Sequence, residues 1–237
     1  MQIVAHQRRL SVAPLGWLSG GLPLVAVLIC TVWSMQQGLV PQCMPLLEGC
    51  TSVSATGRHG TPYFIFKALV IPAGVVLMAF WMVAGLWCLD LDLRRNLAGI
   101  TLLCAGFAGG LFLILYATFL GSDGPWYDWL RRFGARMFFA LTAFAQLMLT
   151  AATWHGLADR RPTTLRIMLA LCIVQLGIGL ASLPAPLLLD DPDAIQNLVE
   201  WNYGLAMLLF FPAAGELMRQ QGLRLGLTAR AAAETRS

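Results

Sequence analysis

Charge is scarce in this chain, and lysine is nearly absent. Asp, Glu, Lys and Arg make up 12% of its 237 residues, against 58% hydrophobic residues. That balance excludes an ordinary soluble domain, where about a quarter of the residues are charged. Histidine is restricted to three residues, and a lone His59 in the polar loops provides too few ligands for a metal centre. The loops hold no glycine-rich nucleotide motif, and no G-x-S-x-G elbow surrounds Ser52 or Ser54. The basic residues are dispersed over several loops and tails, which argues against a nucleic-acid footprint. Nothing here calls for a cofactor or a metal.

What the chain does have is length of apolar sequence. Six stretches, Pro14–Met35, Pro62–Leu89, Leu97–Leu120, Gly134–Trp154, Leu165–Leu189 and Ala194–Leu217, are separated by short polar loops. At about 21–28 residues each they suffice, as α-helix, to cross a hydrocarbon core of roughly 30 Å. Backbone groups in lipid must satisfy one another, so helix is the expected conformation. Arg8, Arg9, Arg94, Arg95, Arg160, Arg161, Arg166, Arg219, Arg224, Arg230 and Arg236 flank one set of span ends. The opposite set carries Arg58, Lys67, Arg131, Arg132 and Arg136. The positive-inside rule then places both termini in the cytoplasm.

The expected fold is therefore an all-α membrane protein, a six-transmembrane-helix bundle. A cytoplasmic segment (1–13) precedes the membrane domain (14–218), whose long external loop covers 36–61, and a basic cytoplasmic tail (219–237) follows. Arg8–Arg9 before an apolar run resembles a secretion signal, but the run is long and no small-x-small cleavage site follows cleanly, so a retained signal-anchor is expected. Arginine in place of lysine, with abundant Ala, Gly and Leu, is the bias of a GC-rich bacterial genome and points to a bacterial inner membrane.

The external loop 36–61 contains Cys43 and Cys50, seven apart on an oxidising face. A disulfide and two free thiols are both open. Cys30, Cys88, Cys104 and Cys172 fall in or at the ends of spans, where thiols behave as small hydrophobes. The segment Cys50–Pro62 is dense in hydroxyls and includes His59, and long loops in compact proteins are frequently functional. Trp126, Tyr127 and Trp129, in the second external loop Gly121–Phe133, have the composition of an interfacial aromatic belt.

Three ionisable residues lie just inside the outer ends of spans: Lys67, Arg136 and Glu200. Charges at membrane depth pair or face water. The cations have a bland alternative, snorkelling to the interface, whereas glutamate is too short to snorkel far. One arrangement pairs Glu200 with Lys67 or Arg136 and leaves the other cation, with Arg132, for a lipid phosphate. Deeper in the spans, Gln146 and Gln175 have the character of interhelical glue, and the small-xxx-small segment Gly106–Gly110 suits close packing inside the bundle or in a homodimer. Pro72 and Pro212 are expected to kink their helices.

With Ser52-Val53-Ser54-Ala55-Thr56-Gly57, then Pro62 and Tyr63-Phe64-Ile65-Phe66, then Gly134-Ala135-Arg136-Met137-Phe138-Phe139 and Glu200-Trp201, the chain resembles the Frag/DRAM/Sfk family of six-span membrane proteins, which includes GPI-anchor lipid-remodelling proteins. It departs from the family's pattern before span four, where members often carry a histidine and this chain has Trp129–Arg132. The resemblance implies lipid handling, with membrane phospholipids as partners and a phospholipid or other envelope lipid in place of a GPI substrate. The expected site is a headgroup pocket at the outer leaflet formed by Lys67, Arg132, Arg136 and Glu200. One alternative is a lipid acyl hydrolase or acyltransferase with Ser52 or Ser54 as nucleophile, His59 as base and Glu200 as its orienter. Another is a proton-coupled or small-solute transporter, against which stand a shallow Glu200 and the lack of inverted repeats with broken helices. A protein partner is left open.

Overall fold

The computed structural model describes residues 7–91, 96–158, 161–183 and 192–228. Helices dominate: α1 (Ala13–Gln36), α2 (Pro45–Glu48), α3 (Val53–Thr56), α4 (Gly60–Leu91), α5 (Asn96–Phe119), α6 (Pro125–Gly156), α7 (Thr163–Ser182) and α8 (Pro192–Gln220). Five of these, α1, α4, α5, α6 and α7, are long and apolar enough to cross a membrane. The long helix α8 has 29 residues but also carries Asp193, Glu200, Glu216 and Arg219. Helix α7 ends at Ser182. Residues 184–189 of the span expected to Leu189 lie outside the described residues, as do Arg94, Arg95, Arg160, Asp190, Asp191, His6, Arg230 and Arg236.

The long helices form a closed ring in the order α1, α4, α5, α6, α7, α8, with α8 returning to α1. Its interior is packed around Phe80, Trp81 and Phe211, whose rings meet edge-on at centroid distances of 5.1 Å, 5.3 Å and 5.7 Å. Gly106 leaves the space that the Trp81 indole fills, and Gly110 abuts Met78 and the Gly74 carbonyl. The small-xxx-small face of α5 is thus occupied by α4. A second close crossing joins α1 to α8. A Cβ on Gly16 would lie 2.5 Å from the Phe211 carbonyl oxygen, and one on Gly20 would collide with that of Leu208. Interhelical hydrogen bonds close the other side. Gln175 Nε2 donates to Gln146 Oε1 (2.9 Å), and Gln146 Nε2 donates to the Met207 carbonyl (3.0 Å), tying α6, α7 and α8.

Two boundaries differ from the expectation. Helix α6 starts at Pro125, not Gly134, and absorbs Trp126, Tyr127 and Trp129 from the presumed loop. Proline suits a first helical turn because its missing N–H has no partner there anyway, and Asp128 suits that turn electrostatically. Segments 7–11 and 224–228, which fall in the expected cytoplasmic segment and basic tail, also form paired strands. Strand β1 (Gln7–Ser11) pairs antiparallel with β2 (Arg224–Thr228), Gln7 opposite Thr228 and Ser11 opposite Arg224. The bundle therefore has a strand end, where α1 begins and α8 finishes, and a loop end, where α2 and α3 lie.

Candidate functional site

The loop end is assembled by α8. Between α1 and α4 the backbone makes two single-turn helices. Helix α2 begins at Pro45, Glu48 Oε1 accepts the Met44 N–H (2.8 Å), and Gly49 ends the turn in the left-handed region at φ 62°. Cys43 and Cys50 are joined by a disulfide that straddles this helix, with Cα atoms 6.6 Å apart. Helix α3 is capped by Ser52, whose hydroxyl accepts the Ala55 N–H at 3.1 Å.

Three α8 side chains then donate to loop carbonyls. Asn197 Nδ2 reaches Gly49 (2.8 Å), Trp201 Nε1 reaches Thr51 (2.8 Å) and Asn202 Nδ2 reaches Leu46 (2.9 Å). The Glu200 carboxylate accepts the Ser54 backbone N–H. From α1, Ser34 Oγ donates to the Thr56 carbonyl at 2.6 Å. Carbonyls that would otherwise be buried unpaired are in this way satisfied by side chains from two long helices.

A polar cluster sits at this junction. Arg58 Nη2 donates to Ser54 Oγ (3.1 Å), and the Ser54 and Ser52 hydroxyls are 3.1 Å apart. Arg131 pairs with Asp128 at 2.8 Å. Arg58, Arg131, Glu200 and the Tyr116 hydroxyl lie within electrostatic reach of one another. Partial burial, then the nearby Arg131 charge, pull the Arg58 guanidinium below its ordinary value, while Asp128 and Glu200 act in the opposite sense. Arg58 Nε is buried with no hydrogen-bond partner.

Directly below this cluster the bundle is not filled. A cavity of about 130 Å³ lies among α1, α4, α5, α6 and α8, walled by apolar side chains such as Leu24, Leu28, Phe66, Phe138, Phe139 and Leu208. Among the described residues Glu200 is the one charged side chain in its wall, and Leu46 and Val53 of the loop close its top. Helices α1 and α8 touch through Gly16 and Gly20, and farther along Pro23, Leu24 and Leu28 of α1 and Gly204, Leu205 and Leu208 of α8 line the cavity. Leu28 is 51% exposed, so this side of the cavity meets the bundle's outer surface.

The expected site residues are only partly brought together. Ser52, Ser54 and Glu200 meet; Lys67, Arg132, Arg136 and His59 do not join them. Lys67 donates to the Tyr63 hydroxyl of its own helix and sits 4.0 Å from that ring's centroid. The cations beside Glu200 are Arg58 and Arg131, in place of Lys67 or Arg136. Arg132 and Arg136 are exposed on the outer face of α6. His59 is exposed and makes no hydrogen bond among the described residues, so the serine–histidine–glutamate relay is not assembled; Ser54 Oγ faces a guanidinium instead of a base. No cluster of His, Cys, Asp and Glu suited to a metal occurs among the described residues. Tyr116, Asn197 and Asn202 were not expected at the site. The signal that marks α8 is the spacing of Asn197, Glu200 and Trp201, which puts three hydrogen-bonding side chains on one helix face.

Fold and site together define an all-α membrane protein with an apolar cavity beneath a disulfide-closed polar loop. Comparison with family models, curated proteins and solved structures finds no match for the chain.

Proposed function

We propose that the protein is a lipid-handling integral membrane protein that holds one lipid at the outer leaflet, with an acyl chain in the cavity and the headgroup at Arg58, Arg131 and Glu200. The observation that carries this reading is the adjacency of an apolar cavity and a charged cluster with Glu200 in both. The orphaned Arg58 Nε supports it further. A buried N–H without an acceptor costs about 1–3 kcal/mol, and a phosphate or ester oxygen brought by a ligand would remove that penalty. The likeness to the Frag/DRAM/Sfk family points the same way.

In this reading α8 is the sixth span, both termini are cytoplasmic and the protein resides in a bacterial inner membrane. The pairing of β1 with β2 favours an even number of crossings, since it brings the segments before α1 and after α8 to one end of the bundle. The lower apolarity of α8 has a local cause: Asn197, Glu200 and Asn202 serve the loop.

The test is mass spectrometry of lipids retained by the purified protein after reconstitution in native lipid extract. Gly204 lines the cavity and a Cβ there meets nothing within 4 Å. Gly204→Leu should therefore fill the cavity without a backbone clash and reduce the retained lipid about tenfold, a change of about 1.4 kcal/mol. Undiminished retention in Gly204→Leu would sink the cavity as the binding site. A lyso- or transacylated product that disappears with Ser54→Ala would replace holding with acyl transfer.

A further inference from the structure

A second feature lies on α6, on the bundle's outer surface and apart from the cavity. Pro125, Asp128, Trp129, Arg132, Phe133 and Arg136 surround a shallow groove of about 390 Å³. Trp126 stacks on Trp129 at a centroid distance of 5.2 Å, and Trp129 on Phe133 at 5.0 Å with ring planes 5° apart. Trp126 and Trp129 are 65% and 50% exposed. Three stacked rings at a helix end, the two indoles exposed and Phe133 half-buried, are what the headgroup region selects, because indole is apolar over its faces and donates at one edge.

Arg132 and Arg136 stand beside this stack, one turn apart on the same helix face. Such neighbours lie about 5–6 Å apart at Cβ, and like charges at that spacing repel. Among the described residues neither makes a hydrogen bond or ion pair. The other cations of the loop end are engaged: Arg58 with Ser54, Lys67 with Tyr63, Arg131 with Asp128. Asp128 is on the groove's rim and within electrostatic reach of Arg132, but its carboxylate is bonded to Arg131 at 2.8 Å. The two guanidiniums therefore keep their donors free and form a fork pair suited to phosphate oxygens, to which arginine bonds bidentately.

We propose that Arg132 and Arg136 form a surface site for the phosphate of an anionic phospholipid in the leaflet that meets the loop end, with the Trp126–Trp129–Phe133 stack bordering its glycerol and upper chains. The site is separate from the cavity and does not depend on it. It would hold a boundary lipid against α6, fixing the depth and tilt of the helix whose other face lines the cavity. Charge complementarity selects a net-anionic lipid over a zwitterionic one, whose ammonium would face the second arginine.

The test uses the full chain in nanodiscs of phosphatidylcholine with a minority of phosphatidylglycerol, with lipids that remain bound counted by native mass spectrometry. The wild type should retain phosphatidylglycerol preferentially, and the double variant Arg132→Gln/Arg136→Gln should lose about tenfold of that retention. In the Gly204→Leu background, which blocks the cavity, the loss caused by Arg132→Gln/Arg136→Gln should persist, so failure here and failure of the cavity reading are told apart. Should the glutamine pair not fold, Arg132→Lys/Arg136→Lys keeps the charge and is expected to show a smaller, measurable loss. Equal retention by wild type and either double variant overturns the site. So does displacement of the lipid by inorganic phosphate alone at millimolar concentration, which would make it a site for free anions.

Discussion

Ser52 acts first as a helix cap. Its hydroxyl accepts the Ala55 N–H at 3.1 Å and so satisfies one of the unpaired donors of α3. Ser52→Ala should lower stability by about 1 kcal/mol and Ser52→Asp should restore it, since aspartate caps as well as serine. A thermal-shift series on detergent-solubilised protein measures this. An acyl-enzyme nucleophile would behave otherwise, because aspartate would abolish its activity while rescuing the fold. Gly49 is constrained twice over. Its φ of 62° lies in the left-handed region, and a Cβ there would collide with the Ala194 carbonyl. Left-handed backbone costs other residues about 1–2 kcal/mol, and the collision adds to that. Gly49→Ala should therefore destabilise the loop end by at least that amount, read as a lower melting temperature and faster proteolysis between Cys43 and Arg58. His59→Ala, in contrast, removes no hydrogen bond and should leave both lipid retention and melting unchanged.

At the scale of elements, α1 and α8 touch closely through Gly16 and Gly20, and both contribute walls to the cavity farther along. Gly16 and Gly20 set the near contact, with carbonyls of Phe211 and Leu208 where a Cβ would be. Gly20→Leu should push the helices apart along their length and cost about 1–3 kcal/mol or more, as overpacking does, with loss of the retained lipid as the functional readout. The disulfide closes a short loop over the cavity, and Cys50→Ser should cost about 2–3 kcal/mol on the chain-entropy account. The long helices α1, α4 and α5 were legible in the sequence because an apolar run of that length has one solution in lipid. The start of α6 was not: Trp126 and Arg131 have the composition of a loop, and only Pro125 at the first turn signals the helix. Glu200 was legible as a charge too short to escape the membrane boundary. Its partners were not, because Arg58 comes from a loop whose fold depends on carbonyl contacts with Asn197, Trp201 and Asn202, and no local pattern encodes contacts across 150 residues.

For the whole molecule, the arginine distribution and the strand pairing constrain the topology from independent directions. The first is electrostatic and, in the proposed orientation, puts the end where α1 begins in the cytoplasm. The second is geometric: β1 and β2 lie at one end of the bundle, so the chain that leaves through α1 must come back. Among the described residues five helices meet the length and apolarity of a span, and five crossings alone would leave the two strands on opposite faces. Helix α8 resolves this if it also crosses, although Glu200, Asn197 and Asn202 dilute its apolar character near the loop end. The consequence is measurable with single cysteines introduced at Gln37, Ser122, Thr163 and Gln221 after Cys30, Cys88, Cys104 and Cys172 are replaced by alanine or serine and the Cys43–Cys50 disulfide is left in place. A membrane-impermeant maleimide applied to intact cells should label positions 37 and 122 and should reach 163 and 221 only after permeabilisation. Labelling of 221 together with 37 in intact cells would mean an odd number of crossings, and would break either the α8 span or the β1–β2 pairing. Labelling of 163 and 221 alone would keep the six-span bundle but invert it, placing the cavity and its charged cluster at the inner leaflet.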